Sequence, residues 1–178
     1  MIVKKNEPLF KVLRNHAGTY YSGIKWPKRG QWTSKVERVK ACDSGWHLTN
    51  LLSLYNWIPG GTGVTIWRAH GNGKSHGGSD KIAFQRAKLT VKLDTSIGTL
   101  KKLTLFGAKL ITEAQGYEFS VSDVDNEYYY ITSFSNVLRT MSCWMAQESG
   151  TRKSAARRWF KKLCRTWRIS YEKAIGKV

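Results

Sequence analysis

The chain is short of cysteine, proline and acid, and it has no long apolar run. Each shortage excludes something. Cys42, Cys143 and Cys164 are odd in number and far apart, and no two stand as C-x-x-C. They cannot make a disulfide framework or a zinc pair, and they suit a reducing compartment. With only three prolines, the chain has no low-complexity tract, and it shows no internal repeat. No segment approaches the ~20 apolar residues of a membrane span. The opening "MIVKKNEPLF" lacks the apolar core of a signal peptide. The expectation is a protein made and used inside a cell, or packaged there.

The scarcity of acid matters most. Thirty Lys and Arg face 12 Asp and Glu, a formal charge of +18. Solubility needs far less, and such an excess usually meets a polyanion: DNA, RNA or, less often, anionic lipid. The charge is concentrated. Residues 151–178 hold ten bases against Glu172 alone, and residues 1–40 hold ten against Glu7 and Glu37. Residues 110–138 hold five acids and no base.

What is present is aromatic. Eight tryptophans and eight tyrosines in 178 residues supply ample core material for one domain with a helical appendage. "PLFKVLRN" reads as a first strand, and "HAGTYYSGIKWPKRGQW" as a loop punctuated by aromatics. "TSKVERVKAC" alternates as a half-buried strand. In "DSGWHLTNLLSLYNWIPGG", Thr49 or Asn50 caps a short helix that "IPGG" stops. "GVTIWRAHG" is a β-branched and aromatic strand, "NGKSHGGSD" a mobile turn. "KIAFQRAKLTVKL" is an alternating strand with a slip near Gln85–Arg86. Residues 98–134 read as two strands, or as a helix and a strand, and "SNVLRTMSCWMAQESG" as a helix. The sum is an α+β fold with a small, mainly antiparallel sheet over residues 1–150. A basic amphipathic helical extension over 151–178 follows the "QESGTRKS" turn.

Several stretches together resemble an uncharacterised domain family of phages, prophages and actinobacterial genomes. They are the C-x-x-G-aromatic-H element of Cys42, Gly45, Trp46 and His47 with Leu48, the "WRAHG" strand of Trp67 and Gly71, and the later Asp80-Lys81. Trp26 or Trp32 matches the family's upstream tryptophan. The likeness covers about residues 10–95. Where relatives often carry a glutamate after the tryptophan strand, this chain has His70, so a role resting on that acid would fail here. The resemblance implies a phage-linked small α+β domain, working in host cytoplasm or attached to a virion, and no particular reaction.

Three local patterns raise questions of chemistry. Cys42, Gly45 and His47 have the types for a thiolate nucleophile with its base. They equally suit a tight turn in which Gly45 takes a positive φ, Cys42 packs as a small apolar group and His47 bonds returning backbone. We read a structural corner bordering a pocket. Asp123, Asp125 and Glu127 alternate, which on a strand aligns three carboxylates for a divalent cation; D-x-D-N-E is also turn chemistry, and we read it so. "GNGKSHGGSD" lacks phosphate-loop spacing, though Lys74 and His76 stand within reach of a phosphate. These patterns call for no metal or cofactor.

The tail is the clearest pattern. At 100° per residue, Ala155, Ala156, Trp159, Phe160, Leu163, Cys164, Trp167 and Tyr171 fall on one half of a helix. Arg157, Arg158, Lys161, Lys162, Arg165 and Arg168 fall on the other. Like charges at such spacing repel, so the expectation is an anionic partner. A second basic stretch sets Lys25, Lys28 and Arg29 beside Trp26 and Trp32, a mixture suited to phosphates and stacked bases. The sequence therefore points to an accessory protein that binds nucleic acid or a ribonucleoprotein, with counter-defence or virion association as the roles in view. Its rivals are a small transferase or hydrolase at the Cys42–His47 corner and a protein that recognises an acidic protein surface.

Overall fold

Runs of buried apolar residues build the sheet. The computed structural model describes residues 7–14, 25–121 and 127–175. Strand β1 (Leu9–Arg14) pairs antiparallel with β3 (Val64–Gly77), from Leu9 opposite Ala69 to Arg14 opposite Val64. Strand β4 (Ile82–Lys92) pairs antiparallel with β3 and, on its other edge, with the short β2 (Trp46–Leu48). The order is β1-β3-β4-β2. Phe10 and Thr49 then exchange backbone hydrogen bonds of 2.7 and 3.0 Å, so the two outer strands meet and the sheet closes on itself. Its core gathers Leu9, Leu13, Trp26, Leu48, Ala69, Phe84, Ala87 and Leu89.

Four local expectations change here. The glycine-rich "NGKSHGG" is not a mobile turn, because the β3–β4 ladder carries through it to Gly77 opposite Ile82. The slip foreseen near Gln85–Arg86 appears opposite them, between Asn72 and Ser75, so the extra residue is on β3. Gly73 takes φ +82° there, and the Gln85 side chain accepts from the Lys74 amide at 3.1 Å. Residues 30–36 form no strand, although they run along β4. The Gly30, Thr33 and Val36 amides donate to the carbonyls of Leu89, Ala87 and Gln85 at 2.8–3.0 Å. Three residues advance here for every two on β4, which no regular ladder allows. The helix expected after Asn50 is reduced to a 3₁₀ turn, Leu54–Trp57, behind an Asn50 side chain that accepts from the Ser53 amide at 2.9 Å.

The second half is helical: α1 (Ile97–Gln115), α2 (Glu127–Met145), α3 (Thr151–Thr166) and the short α4 (Tyr171–Ile175). The two strands allowed for residues 98–134 do not form. Leu100, Leu103, Gly107, Leu110 and Ile111 are buried at spacings of three and four, which only a helix turns to one side. Gly116, at φ +78°, ends α1 with its amide on the Thr112 carbonyl. The long tail helix stops early. Arg168 takes φ +52° and the Ile169 amide reaches back to the Cys164 carbonyl at 2.8 Å, a Schellman-type end.

The fold is thus α+β, with a four-stranded antiparallel sheet. Its compact units are Met1–Trp57 with Gly63–Leu93, and Ile58–Thr62 with Asp94–Val178. The division lies near Leu93 rather than at residue 150, because α3 shares a core with α1 and α2. A Cβ on Gly107 of α1 would stand 2.3 Å from a Val137 methyl carbon on α2 and 2.8 Å from Trp159 Nε1 on α3. That ring nitrogen donates to the Leu103 carbonyl at 2.9 Å. Among the described residues no helix is long and apolar enough to cross a membrane.

Candidate functional site

In the helical unit, α3 presents the expected face. Ala155, Ala156, Trp159, Phe160, Leu163 and Cys164 are buried, while Arg157, Arg158, Lys161, Lys162 and Arg165 are exposed. Arg168, just past the helix end, is exposed too. Burial pushes the Cys164 thiol up to about 12, so it acts as core and not as a reactive group. Lys162 rests over the Phe106 ring at 4.0 Å from its centroid, and Lys161 over Tyr171 at 5.8 Å. Glu113 reaches this face, 3.8 Å from Arg158. Glu172 of α4 accepts from Ser170 Oγ at 3.1 Å, and its charge also acts on Lys161.

The fold also adds cations that the tail pattern alone does not show. Lys102, Phe106, Lys109 and Glu113 succeed one another along α1 at spacings of four, three and four, hence on one stripe. Phe106 and Glu113 touch α3, so this stripe borders its basic face, and Lys102 and Lys109 are exposed on it. The signal was present in the four-three-four spacing, but it has meaning only once residues 97–115 are known to be helical.

In the sheet unit, the second basic stretch is exposed at Lys25, Lys28 and Arg29. Arg29 already donates from Nε to the Thr90 carbonyl at 2.6 Å. The aromatics beside them give this basic surface no exposed ring for stacking. Trp26 is only 6% exposed, within the sheet core, and Trp32 lies under the Lys88 ammonium at 4.7 Å.

The Cys42–His47 corner is a tight turn. The Lys40 amide donates to the Ser44 carbonyl at 2.9 Å, and the Ser44 amide to the Lys40 carbonyl at 3.0 Å. Gly45 has φ +110°, and a Cβ there would meet the Phe84 carbonyl at 3.1 Å. Cys42 is exposed at φ +69°, which corrects the expectation that it packs as a small apolar group. The positive φ places it at the outside of the turn, at a backbone cost of about 1–2 kcal/mol.

Behind the corner lies a cavity of about 840 Å³. Cys42, Gly45, Trp46, His47, Asp80 and Lys81, which span 40 residues of sequence, all line it. Lys11 completes it. Placed between Leu9 and Leu13, its side chain projects to the core face of β1. Its Nζ donates to the His47 carbonyl at 3.3 Å and stands 5.3 Å from the Trp26 ring centroid. Burial and the nearby Lys81 charge pull its pKa down to about 8. Burial, then Lys81 and Lys11, likewise hold His47 below the usual imidazole range, against a hydrogen bond with the Lys40 backbone and the pull of Asp80. At neutral pH the imidazole is therefore uncharged. His70 is exposed on β3 and does not line the cavity. Among the described residues, no group of three or more His, Cys, Asp and Glu is placed to hold a metal ion. Asp123 and Asp125 lie outside the described residues.

Lys11 has a consequence for stability. Its protonated form is penalised in the folded chain, so the unfolded state binds more protons between about pH 8 and the ordinary lysine range near 10.4. The penalty is complete below pH 8 and fades as pH rises. Lys11→Met is expected to raise the melting temperature at pH 7, by the equivalent of about 1–3 kcal/mol. The gain should shrink towards pH 10 in thermal melts. An equal gain at both values would show that burial of the charge is not its source.

Compared with protein-family models, curated proteins and solved structures, the chain matches none.

Proposed function

We propose that the protein binds nucleic acid through the phosphate backbone, which lies along the exposed face of α3. The carrying observation is that over residues 155–165 α3 buries an apolar half and exposes Arg157, Arg158, Lys161, Lys162 and Arg165, with Glu113 3.8 Å from Arg158. Sixteen residues make a cationic edge about 24 Å long. Within it, like charges three and four residues apart repel by about 0.2–0.5 kcal/mol per pair. A polyphosphate relieves that repulsion and gains from counterion release.

The burial also limits the mode of recognition. Trp159, Phe160 and Trp167 are committed to the core, so α3 itself turns no aromatic ring outward for bases to stack on. Recognition through phosphates alone carries no sequence information. The resemblance of residues 10–95 to phage-linked domains is compatible with an accessory role of this kind.

Fluorescence anisotropy with two labelled oligonucleotides of unrelated sequence tests the proposal. Both are expected to bind equally and to weaken steeply with salt, the log–log slope growing by about 0.9 for each neutralised phosphate. In the variant Lys161→Gln/Lys162→Gln/Arg165→Gln, the slope should fall by between about two and three with the melting temperature unchanged. Binding that is flat in salt, or an unchanged slope in the variant, defeats the proposal.

A further inference from the structure

The cavity of the sheet unit is unexplained by a phosphate track on α3, and it has an unusual interior. Lys11 and Lys81 both act on His47, and they repel each other. The cavity's acids are Asp43 and Asp80. Asp43 faces outward to Arg38 and Lys40, at 3.7 and 4.0 Å. Two buried ring nitrogens of lining residues, Trp26 Nε1 and His47 Nε2, have no hydrogen-bond partner among the described residues. The two lysine ammoniums and the indole can only donate, whereas the neutral His47 ring keeps one acceptor nitrogen and Asp80 adds a carboxylate; an anionic group entering the cavity would answer the lysines.

The shape narrows the ligand further. A volume of about 840 Å³ is several times what an inorganic anion fills, and it suits a ligand of nucleotide size. The walls are indoles: Trp26 and Trp46 meet edge to face at 5.1 Å, and Trp57 lies under the Lys81 ammonium at 4.5 Å. A ligand that answers the lysines and these walls has an anionic, acceptor-only head and a planar apolar body.

We propose that this cavity binds a nucleoside monophosphate group, its phosphate taken by Lys11 and Lys81 and its base set against the tryptophan walls. The group has two sources, a free mononucleotide or the phosphorylated end of a strand, and the chemistry of recognition is the same. The site does not depend on α3, so either proposal can fail alone.

The coupling to pH distinguishes this site from surface lysines. A phosphate beside Lys11 favours its charged form, so binding takes up a proton near pH 8 and weakens as pH rises through that value. The phosphate itself stays dianionic there, its second pKa being about 6. His47, held below the usual imidazole range, is neutral throughout.

Isothermal titration of the full chain decides the matter. Its probes are adenosine 5′-monophosphate, adenosine, inorganic phosphate, and a short oligonucleotide with and without a 5′-phosphate. The monophosphate is expected to bind about ten- to a hundredfold more tightly than adenosine or phosphate alone, the gain a charge-assisted hydrogen bond supports. That affinity should fall about tenfold from pH 7 to pH 9.5, with proton uptake visible as a dependence on buffer ionisation heat. Lys11→Met should remove both the affinity and the pH dependence. Lys81→Met should weaken binding while moving the pH midpoint upward, because it removes the repulsion on Lys11. Cys143→Ser, an exposed position on α2 outside the cavity lining, should leave the profile unchanged. Preference for the phosphorylated oligonucleotide over the mononucleotide would identify a strand end as the source. Equal affinity for adenosine and its monophosphate, or binding that is flat from pH 7 to 9.5, overturns the proposal. The unmodified chain gives both readouts even if a variant fails to fold.

Discussion

Trp159→Ala is expected to unfold the helical unit, at a cost of about 3–5 kcal/mol. Trp159 is fully buried where α1, α2 and α3 meet. It packs edge to face on Phe160 at 5.1 Å and lies 6.0 Å from Phe134, and its Nε1 ties α3 to the Leu103 carbonyl of α1. Alanine removes the ring, the hydrogen bond and the contact with Gly107 together, and the backbones cannot close over so large a void. Trp159→Phe keeps most of the apolar surface and forfeits the hydrogen bond, a cost of about 1 kcal/mol. Chemical denaturation followed by circular dichroism orders the two variants. Limited proteolysis read by mass spectrometry should show new cleavage within residues 97–175 for the alanine variant. If both variants lost the same small amount, the three helices would not be meeting on this ring.

The second large effect is expected in the sheet. Gly71→Ala places a methyl about 2.2 Å from carbons of the Phe84 ring, well inside contact distance. Phe84 is itself fully buried, so the ring has no solvent to retreat into. Either β3 must move from β4 or the ring must leave its rotamer, and such overpacking costs about 1–3 kcal/mol, occasionally more. The companion change Phe84→Leu in the same chain should recover part of the loss, because it shortens the side chain that obstructs the new methyl. Non-additivity in that double-mutant cycle is the diagnostic measurement. Additive losses would mean that Gly71 and Phe84 do not oppose each other.

Both effects bear on function through position. The cations of α3 form an edge because Trp159 and its neighbours hold the opposite half of the helix in a core. Gly45, which lines the cavity, lets the turn approach β4, and Gly71 lets β3 and β4 pack around Phe84. A core variant should therefore lower nucleic-acid binding together with stability, whereas the exposed glutamine variants lower binding alone.

How much of this was legible follows from the range of the interactions involved. The tail helix was readable because its two halves differ in every residue, and a 100° period needs nothing beyond the chain's own order. Strands β1, β3 and β4 were readable from β-branched and alternating runs. Residues 97–115 were not, because Leu100, Leu103, Leu105 and Leu110 also sit among β-compatible neighbours. Only packing against α2 and α3 selects one side. The glycine-rich end of β3 looked like a loop because its glycines accommodate a ring from β4 and a bulge in β3 itself. Residues 33–42 alternated like a strand, but β4 receives Thr33 and Val36 at a three-for-two spacing that only the partner's geometry sets.

By itself, then, the sequence determined a basic, aromatic-rich α+β protein with a cationic face on its last long helix, since charge and periodicity are properties of the chain. The tertiary structure alone decided where Lys11 lies. In sequence it is one base in a strand flanked by bases. Closure of the sheet between Phe10 and Thr49 turns it inward, beside Lys81 and His47, where low polarity rather than neighbouring sequence governs its charge.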